Sequence, residues 1–183
     1  MRKYVNINAR EKRFIMEGAP AFGARIVSDL AGEGSHRQAL KGGVDYNVSY
    51  PKDMKNVGKY TVKVTFKENY SGSKSLTYSI NPKGTGVSKV TAAKKGFKVT
   101  WKKQKTQTTG YQVQYSTDKN FKKNNKTVTI SKNSTTSKSV GKLKAKKKYY
   151  VRVRTYKTVK FGGKSVKLYS GWSKAKSVTT KKY

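Results

Sequence analysis

From residue 44 onward, the apolar side chains of this chain fall at every second position. Tyr46, Val48 and Tyr50 alternate with Asp45, Asn47 and Ser49; Tyr60, Val62, Val64 and Phe66 alternate with Thr61, Lys63, Thr65 and Lys67; Leu76, Tyr78 and Ile80 alternate with Thr77 and Ser79. A period of two sends successive side chains to opposite faces of a strand, so each run buries one face and wets the other. Asn56-Val57-Gly58 and Tyr70-Ser71-Gly72 mark the turns between them. Seven more runs follow: Ser88–Ala93, Phe97–Lys102, Gly110–Ser116, Lys126–Ser131, Ser137–Val140, Tyr149–Val159 and Val166–Thr180, the last broken near Gly171. Short strands punctuated in this way predict an all-β chain of two tandem β-sandwich domains, residues 1–82 and 88–183. Asn81-Pro82-Lys83-Gly84-Thr85-Gly86 punctuates the two sets, with the linker expected at 83–87, where Pro ends a strand and the glycines release the chain.

Residues 1–40 differ in composition and form an atypical or incomplete part of the first domain. They hold Arg2, Arg10, Arg13, Arg25 and Arg37 and the only histidine, His36. Tyr4–Ile7 and Ala24–Leu30 fit short strands, and Arg10–Glu17 fits a helix.

Charge divides the chain as sharply as the strand pattern does. Residues 84–183 carry 28 Lys or Arg against a single acid, Asp118, out of a formal net charge of +35 for the whole chain. Such a balance commonly marks disorder or a nucleic-acid tail. Here it accompanies both tryptophans and regular alternation, which predicts a folded β-domain with a lysine coat. Lys94-Lys95, Lys102-Lys103, Lys122-Lys123 and the run Lys144, Lys146, Lys147, Lys148 fall at strand ends and turns. Lysines there blunt strand edges and keep sheets soluble. That role does not account for the near-absence of acids, and a field of one sign draws a domain to polyanions.

Catalytic and metal chemistry find little purchase. His36 is the only imidazole, and only Asp29 or Glu33 near it offers an orienting group. One acid in the second half cannot make a two-carboxylate hydrolase. With no cysteine, one histidine and no calcium-loop spacing, no metal or other cofactor is expected. Gly32-Glu33-Gly34 and Phe161-Gly162-Gly163-Lys164 lack P-loop spacing, and the second reads as a hairpin turn. No run approaches ~20 apolar residues, so no membrane-spanning helix is expected. Met1–Arg13 contains no apolar run of a secretory signal, so if the protein is exported this chain is expected to be a fragment of it or to begin at a mis-assigned start.

One constellation is specific. Arg152 and Arg154 are the only arginines in a half that otherwise uses Lys 26 times. Spaced i, i+2 on a strand, they share the face opposite Val151 and Val153. Arginine is preferred over lysine where a planar cation stacks on a ring. The expectation is a cation–π strip with Trp172 and Tyr169, either structural or ligand-binding, with Tyr150 and Tyr156 as further members on that face.

The residues of the second half resemble a fibronectin type III domain. Phe97-Lys98-Val99-Thr100-Trp101 resembles its strand B, with Trp101 as the core tryptophan, and Gly110-Tyr111-Gln112-Val113-Gln114-Tyr115 resembles its strand C. Leu143 followed by Tyr149-Tyr150-Val151-Arg152-Val153-Arg154 resembles the corner and strand F, which implies that Tyr149 is the tyrosine-corner residue. Tyr169-Ser170-Gly171-Trp172-Ser173 resembles the element before strand G. In the first half, Asp45-Tyr46-Asn47-Val48-Ser49-Tyr50, Asn56-Val57-Gly58-Lys59-Tyr60-Thr61-Val62 and Asn69-Tyr70-Ser71-Gly72 resemble bacterial immunoglobulin-like surface repeats.

Those resemblances imply a non-catalytic extracellular or cell-wall module of a Gram-positive bacterium, acting as spacer or adhesion domain beside neighbouring domains of a larger surface protein. Its implied partner is an anionic cell-wall polymer or carbohydrate. The alternatives are a nucleic-acid-binding protein using phosphate contacts alone, and an accessory fragment of a larger secreted enzyme. Sequence readers lean on Arg, Asn and Gln at base edges and Arg is scarce in the second half, and no helix-turn-helix, zinc-finger or RNP signature is present.

Overall fold

The computed structural model describes residues 3–7, 12–17, 25–30, 37–39, 41–52, 54–67 and 72–183. The chain divides into two compact units: residues 1–54 with 59–78, and residues 55–58 with 79–183. Fifteen strands and no helix make up the described residues. His36 and Glu33 lie outside them.

In the first unit, β1 (Lys3–Ile7), β2 (Lys12–Glu17), β3 (Arg25–Leu30) and β4 (Arg37–Ala39) form an antiparallel meander in chain order. The helix expected over Arg10–Glu17 is therefore corrected to strand: Lys12–Glu17 pairs with β1 on one side and with β3 on the other. A run as short as Phe14-Ile15-Met16 fits either period, and here pairing on both edges decides. A second sheet joins β5 (Tyr46–Ser49), β6 (Gly58–Phe66) and β7 (Ser73–Ile80). Tyr46, Val62, Val64 and Phe66, at alternating positions of their strands, are its buried apolar side chains.

The second unit is a two-sheet sandwich. One sheet runs β12 (Ser137–Val140), β9 (Gly96–Trp101), β8 (Val87–Ala93). The other runs β11 (Lys126–Ile130), β10 (Gly110–Ser116), β13 (Lys148–Phe161), β14 (Lys164–Tyr169), and β15 (Lys176–Thr179) also pairs with β13. Phe97, Val99, Trp101 and Val140 from the first sheet meet Tyr111, Val113, Tyr115, Val151 and Val153 from the second in one core. Trp101 is 3% exposed, its ring centroid 5.3 Å from that of Tyr111. Its indole N–H is buried without an acceptor. An orphaned donor costs about 1–3 kcal/mol. Burial of a ring of ~200 Å² is worth about 5 kcal/mol and outweighs it.

The segment before β8 is not released by its glycines. Thr155 Oγ1 donates to Lys83 O (2.8 Å), Gln104 Nε2 donates to Gly84 O (2.7 Å), and Thr85 Oγ1 donates to Lys102 O. Pro82 is buried, and Val87 opens the first strand as a buried residue. Residues 82–87 are thus bound into the second unit. The side chains that hold them come from strands and loops up to 72 positions away, which is why composition alone reads a free linker.

Candidate functional site

Strand β13 is the longest, at 14 residues, and its burial alternates from Tyr149 to Thr155. Val151, Val153 and Thr155 are completely buried, so Arg152 and Arg154 face outward. On the neighbouring β10, Gln114 stands opposite Arg152 and Gln112 opposite Arg154. Each guanidinium grips one amide oxygen with two N–H groups. Arg152 Nε and Nη2 donate to Gln114 Oε1 at 2.8 and 2.6 Å, and Arg154 Nε and Nη2 donate to Gln112 Oε1 at 2.9 and 2.7 Å. The glutamine amides in turn donate to Thr127 and Thr129 Oγ1 on β11, so the network crosses three strands.

The other side of β13 explains how a tryptophan reaches this face. β14 pairs with residues 156–161 of β13 and β15 with residues 148–151, which leaves a gap between them. Ser170 and Ser173 bridge it. Ser170 Oγ accepts from Thr155 N (3.1 Å) and Ser173 Oγ accepts from Val153 N (3.0 Å), while Ser170 N and Ser173 N donate to Thr155 O and Val153 O. Two hydroxyls three residues apart thus replace missing ladder carbonyls. Trp172, held between them, lies against both arginines.

The result is a ladder of five tiers. Phe121 lies 3.9 Å from the Arg152 guanidinium carbon, Trp172 lies 4.8 Å from Arg152 and 4.3 Å from Arg154, and Tyr169 lies 4.0 Å from Arg154. Burial pulls both arginines below their ordinary pKa, and Arg152 is pulled further by the adjacent Arg154. The rings and amide oxygens answer that cost without a carboxylate.

Phe121 is the member that sequence reading missed. It is 8% exposed and holds a left-handed backbone (φ 54°), a conformation unfavourable for an aromatic residue. Asp118, the one acid after residue 83, keeps it there. Its carboxylate accepts from the backbone N–H groups of Asn120, Lys122 and Lys123, and its carbonyl accepts from Phe121 N. These bonds, that to Asn120 foremost, hold the Asp118 carboxyl below its ordinary range. An Asp two residues before an Asn and three before an aromatic was the available signal.

Tyr150 and Tyr156 do not stack on the arginines. Tyr156 is 2% exposed, its ring beside Tyr169 at 6.0 Å and under Lys167 at 5.2 Å. Tyr150 is half-buried beneath Lys148 at 5.6 Å. Tyr149 departs from the corner role: its ring is packed against Phe97 and Tyr115, but its hydroxyl forms no hydrogen bond among the described residues. The well-bonded tyrosine is Tyr111, whose hydroxyl accepts from Gln104 N (3.0 Å) and donates to Asn133 Oδ1 (2.7 Å).

Residues 81–170 match the family model of the fibronectin type III domain. This part of the chain is a fibronectin type III domain. No curated protein matches the chain in sequence. Among solved structures, it is similar to the chicken CNTN1 FN1-FN3 domains, at 18% identity and a TM-score of 0.46, over 91% of this chain and 54% of that one. It is also similar to a multidomain segment of titin, at 17% identity and a TM-score of 0.39, over 93% of this chain and 57% of that one. The chain spans about half the length of each.

The lysine turn of the fibronectin type III domain is rigid. Thr180, 2% exposed, donates through Oγ1 to Lys144 O and accepts there from Lys147 N, while Thr180 O accepts from Lys146 N. Leu143 N donates to Lys95 O, which pins the start of the turn. Lys144, Lys146, Lys147 and Lys148 all stay exposed. Lys95, Lys142 and Lys146 hold left-handed backbones, with φ of 42, 58 and 50°. Glycine or asparagine would sit there at lower cost. Among the described residues, no cluster of His, Cys, Asp and Glu could hold a metal ion, and no helix is long and apolar enough to cross a membrane.

Proposed function

We propose that this chain is a non-catalytic extracellular module that spaces or presents neighbouring domains and holds an anionic cell-wall polymer or glycan by charge. On this reading the first unit is a bacterial immunoglobulin-like surface repeat placed in series with the fibronectin type III domain. The observation that carries the proposal is the charge of residues 84–183: 28 bases against Asp118, whose carboxylate is committed to its own loop. A coat serving solubility alone would mix both signs. Lysines at three left-handed turn positions add to this, since turn geometry alone favours other residues. The arginine ladder serves the scaffold: both guanidinium groups have rings beside them and amide oxygens on their N–H groups.

The test is co-sedimentation of the full chain with purified Gram-positive cell walls, before and after chemical removal of their anionic polymer, at about 150 mM salt. Binding to intact walls and loss after stripping is the expected result. Equal binding to both preparations would refute charge recognition of the wall polymer.

A further inference from the structure

We infer that a cleft at one end of the fibronectin type III domain binds a single anionic sugar unit, one bearing a carboxylate or a phosphate. The inference rests on the reading of the module as a binder of anionic polymer, and names where one unit of that polymer seats. The cleft has a volume of about 380 Å³, and its lining includes Tyr115, Tyr149, Asn124, Lys126, Lys144 and Lys147. That size falls within the roughly 300–1,000 Å³ common for small-ligand sites.

Its floor is aromatic and rigid. Tyr115 meets Phe97 edge-on at 5.6 Å, Tyr149 lies 6.4 Å from Phe97, and the two tyrosines are 6.2 Å apart. Both tyrosines are 8% exposed and line the cleft, and neither phenol hydroxyl forms a hydrogen bond among the described residues. Burial, and after it the neighbouring Tyr149, raises the Tyr115 pKa from its ordinary value.

The rim is cationic and comes from two separate segments. Lys126 opens β11 directly across from Tyr115. Lys144 and Lys147 stand on the turn that Thr180 clamps. Asn124 holds a left-handed backbone (φ 57°) in the loop tied by Asp118 and by the Ser116 Oγ bond to Lys123 O. The three ammonium groups are exposed and no carboxylate lines the cleft.

Hydroxyl and amide donors beside aromatic rings suit a polyol, and three lysines lining the same cleft suit one anion on it. A nucleic-acid strand is read differently, along an extended groove with successive stacking platforms. The cleft here, at about 380 Å³, has room for one small unit and no row of successive platforms, which favours a sugar unit.

The experiment measures binding of the full chain by calorimetry at about 150 mM salt. The probes are an oligogalacturonate, a polyol-phosphate oligomer, a neutral oligosaccharide and duplex DNA. The variant K126Q/K144Q/K147Q is compared with K160Q/K164Q/K174Q, which removes the same charge from exposed lysines outside the cleft, and with Y149F. The expected result is binding of one or both anionic oligomers, the tighter one naming the anion. The cleft triple should lose about tenfold in affinity and the control triple less than about threefold. Tyr149→Phe should weaken binding severalfold without moving the unfolding midpoint. Equal losses in the two triples would overturn the cleft and leave the charged module standing. Tighter binding of DNA than of either oligomer would overturn the sugar site, and failure to bind any anionic probe would overturn the module reading along with it.

Discussion

Arg154→Lys isolates the planar group from its charge. The substitution keeps one positive charge and most of the aliphatic stem. It removes the paired bonds from Nε and Nη2 to Gln112 Oε1, of which an ammonium can restore one. It also removes the flat stacks on Tyr169 at 4.0 Å and Trp172 at 4.3 Å. Each stack contributes about 0.5–1 kcal/mol, part of which a lysine retains. The lost bond contributes about 1 kcal/mol. The expected destabilisation is therefore about 2 kcal/mol, or roughly 10 °C in Tm for a unit of this size. Both tryptophans, Trp101 and Trp172, lie in the second unit, so tryptophan fluorescence follows that unit's unfolding alone. An unchanged urea midpoint, with the slope also unchanged, would show that only charge matters at Arg154 and would refute the ladder as a stabilising element.

Three further outcomes follow from the same geometry. Tyr111→Phe should cost about 2 kcal/mol, because Gln104 N is left without an acceptor, whereas Tyr149→Phe should change stability by less than about 0.5 kcal/mol. Parallel urea titrations check this, and equal losses would restore Tyr149 to the corner role. Gly110→Ala should cost about 3 kcal/mol, since an added Cβ would overlap the Ile130 carbonyl oxygen and crowd the Tyr156 ring; a midpoint equal to the wild type's would refute the close approach. The Asp118 carboxyl, held below its ordinary value of 3.8, should titrate below that value by carboxyl NMR. Because the folded pKa is the lower one, its contribution is present above the unfolded pKa and is lost as pH falls through the folded pKa. The Phe121 resonances should shift with it, and Asp118→Asn should abolish that titration; a Phe121 that ignores the change would show the loop is held some other way.

Much of the second unit was legible because its signals are local. Alternation fixed β10 and β12 to the residue, and placed the ends of the other second-unit strands within a few positions. The arginine–tryptophan contact was also legible, since two arginines among 26 lysines point to a need for planarity. What stayed hidden depends on register and on loops. Gln112 and Gln114 become partners only once β10 is aligned against β13. Phe121 arrives from a loop through a left-handed turn. The cleft draws its lysines from Lys126 and from the Lys144–Lys147 turn, brought together by closure of the sandwich. In the first unit, β2 was misread because three apolar residues in a row carry no period.

Salt dependence of binding separates recognition of the wall polymer from nonspecific charge most directly. The full chain would be titrated against purified wall polymer and against duplex DNA, from about 50 to 300 mM salt. Wall-polymer binding should survive near 150 mM, where DNA binding has already been lost. Binding to both that collapses together with salt would contradict it, and would leave the lysine coat as nonspecific charge.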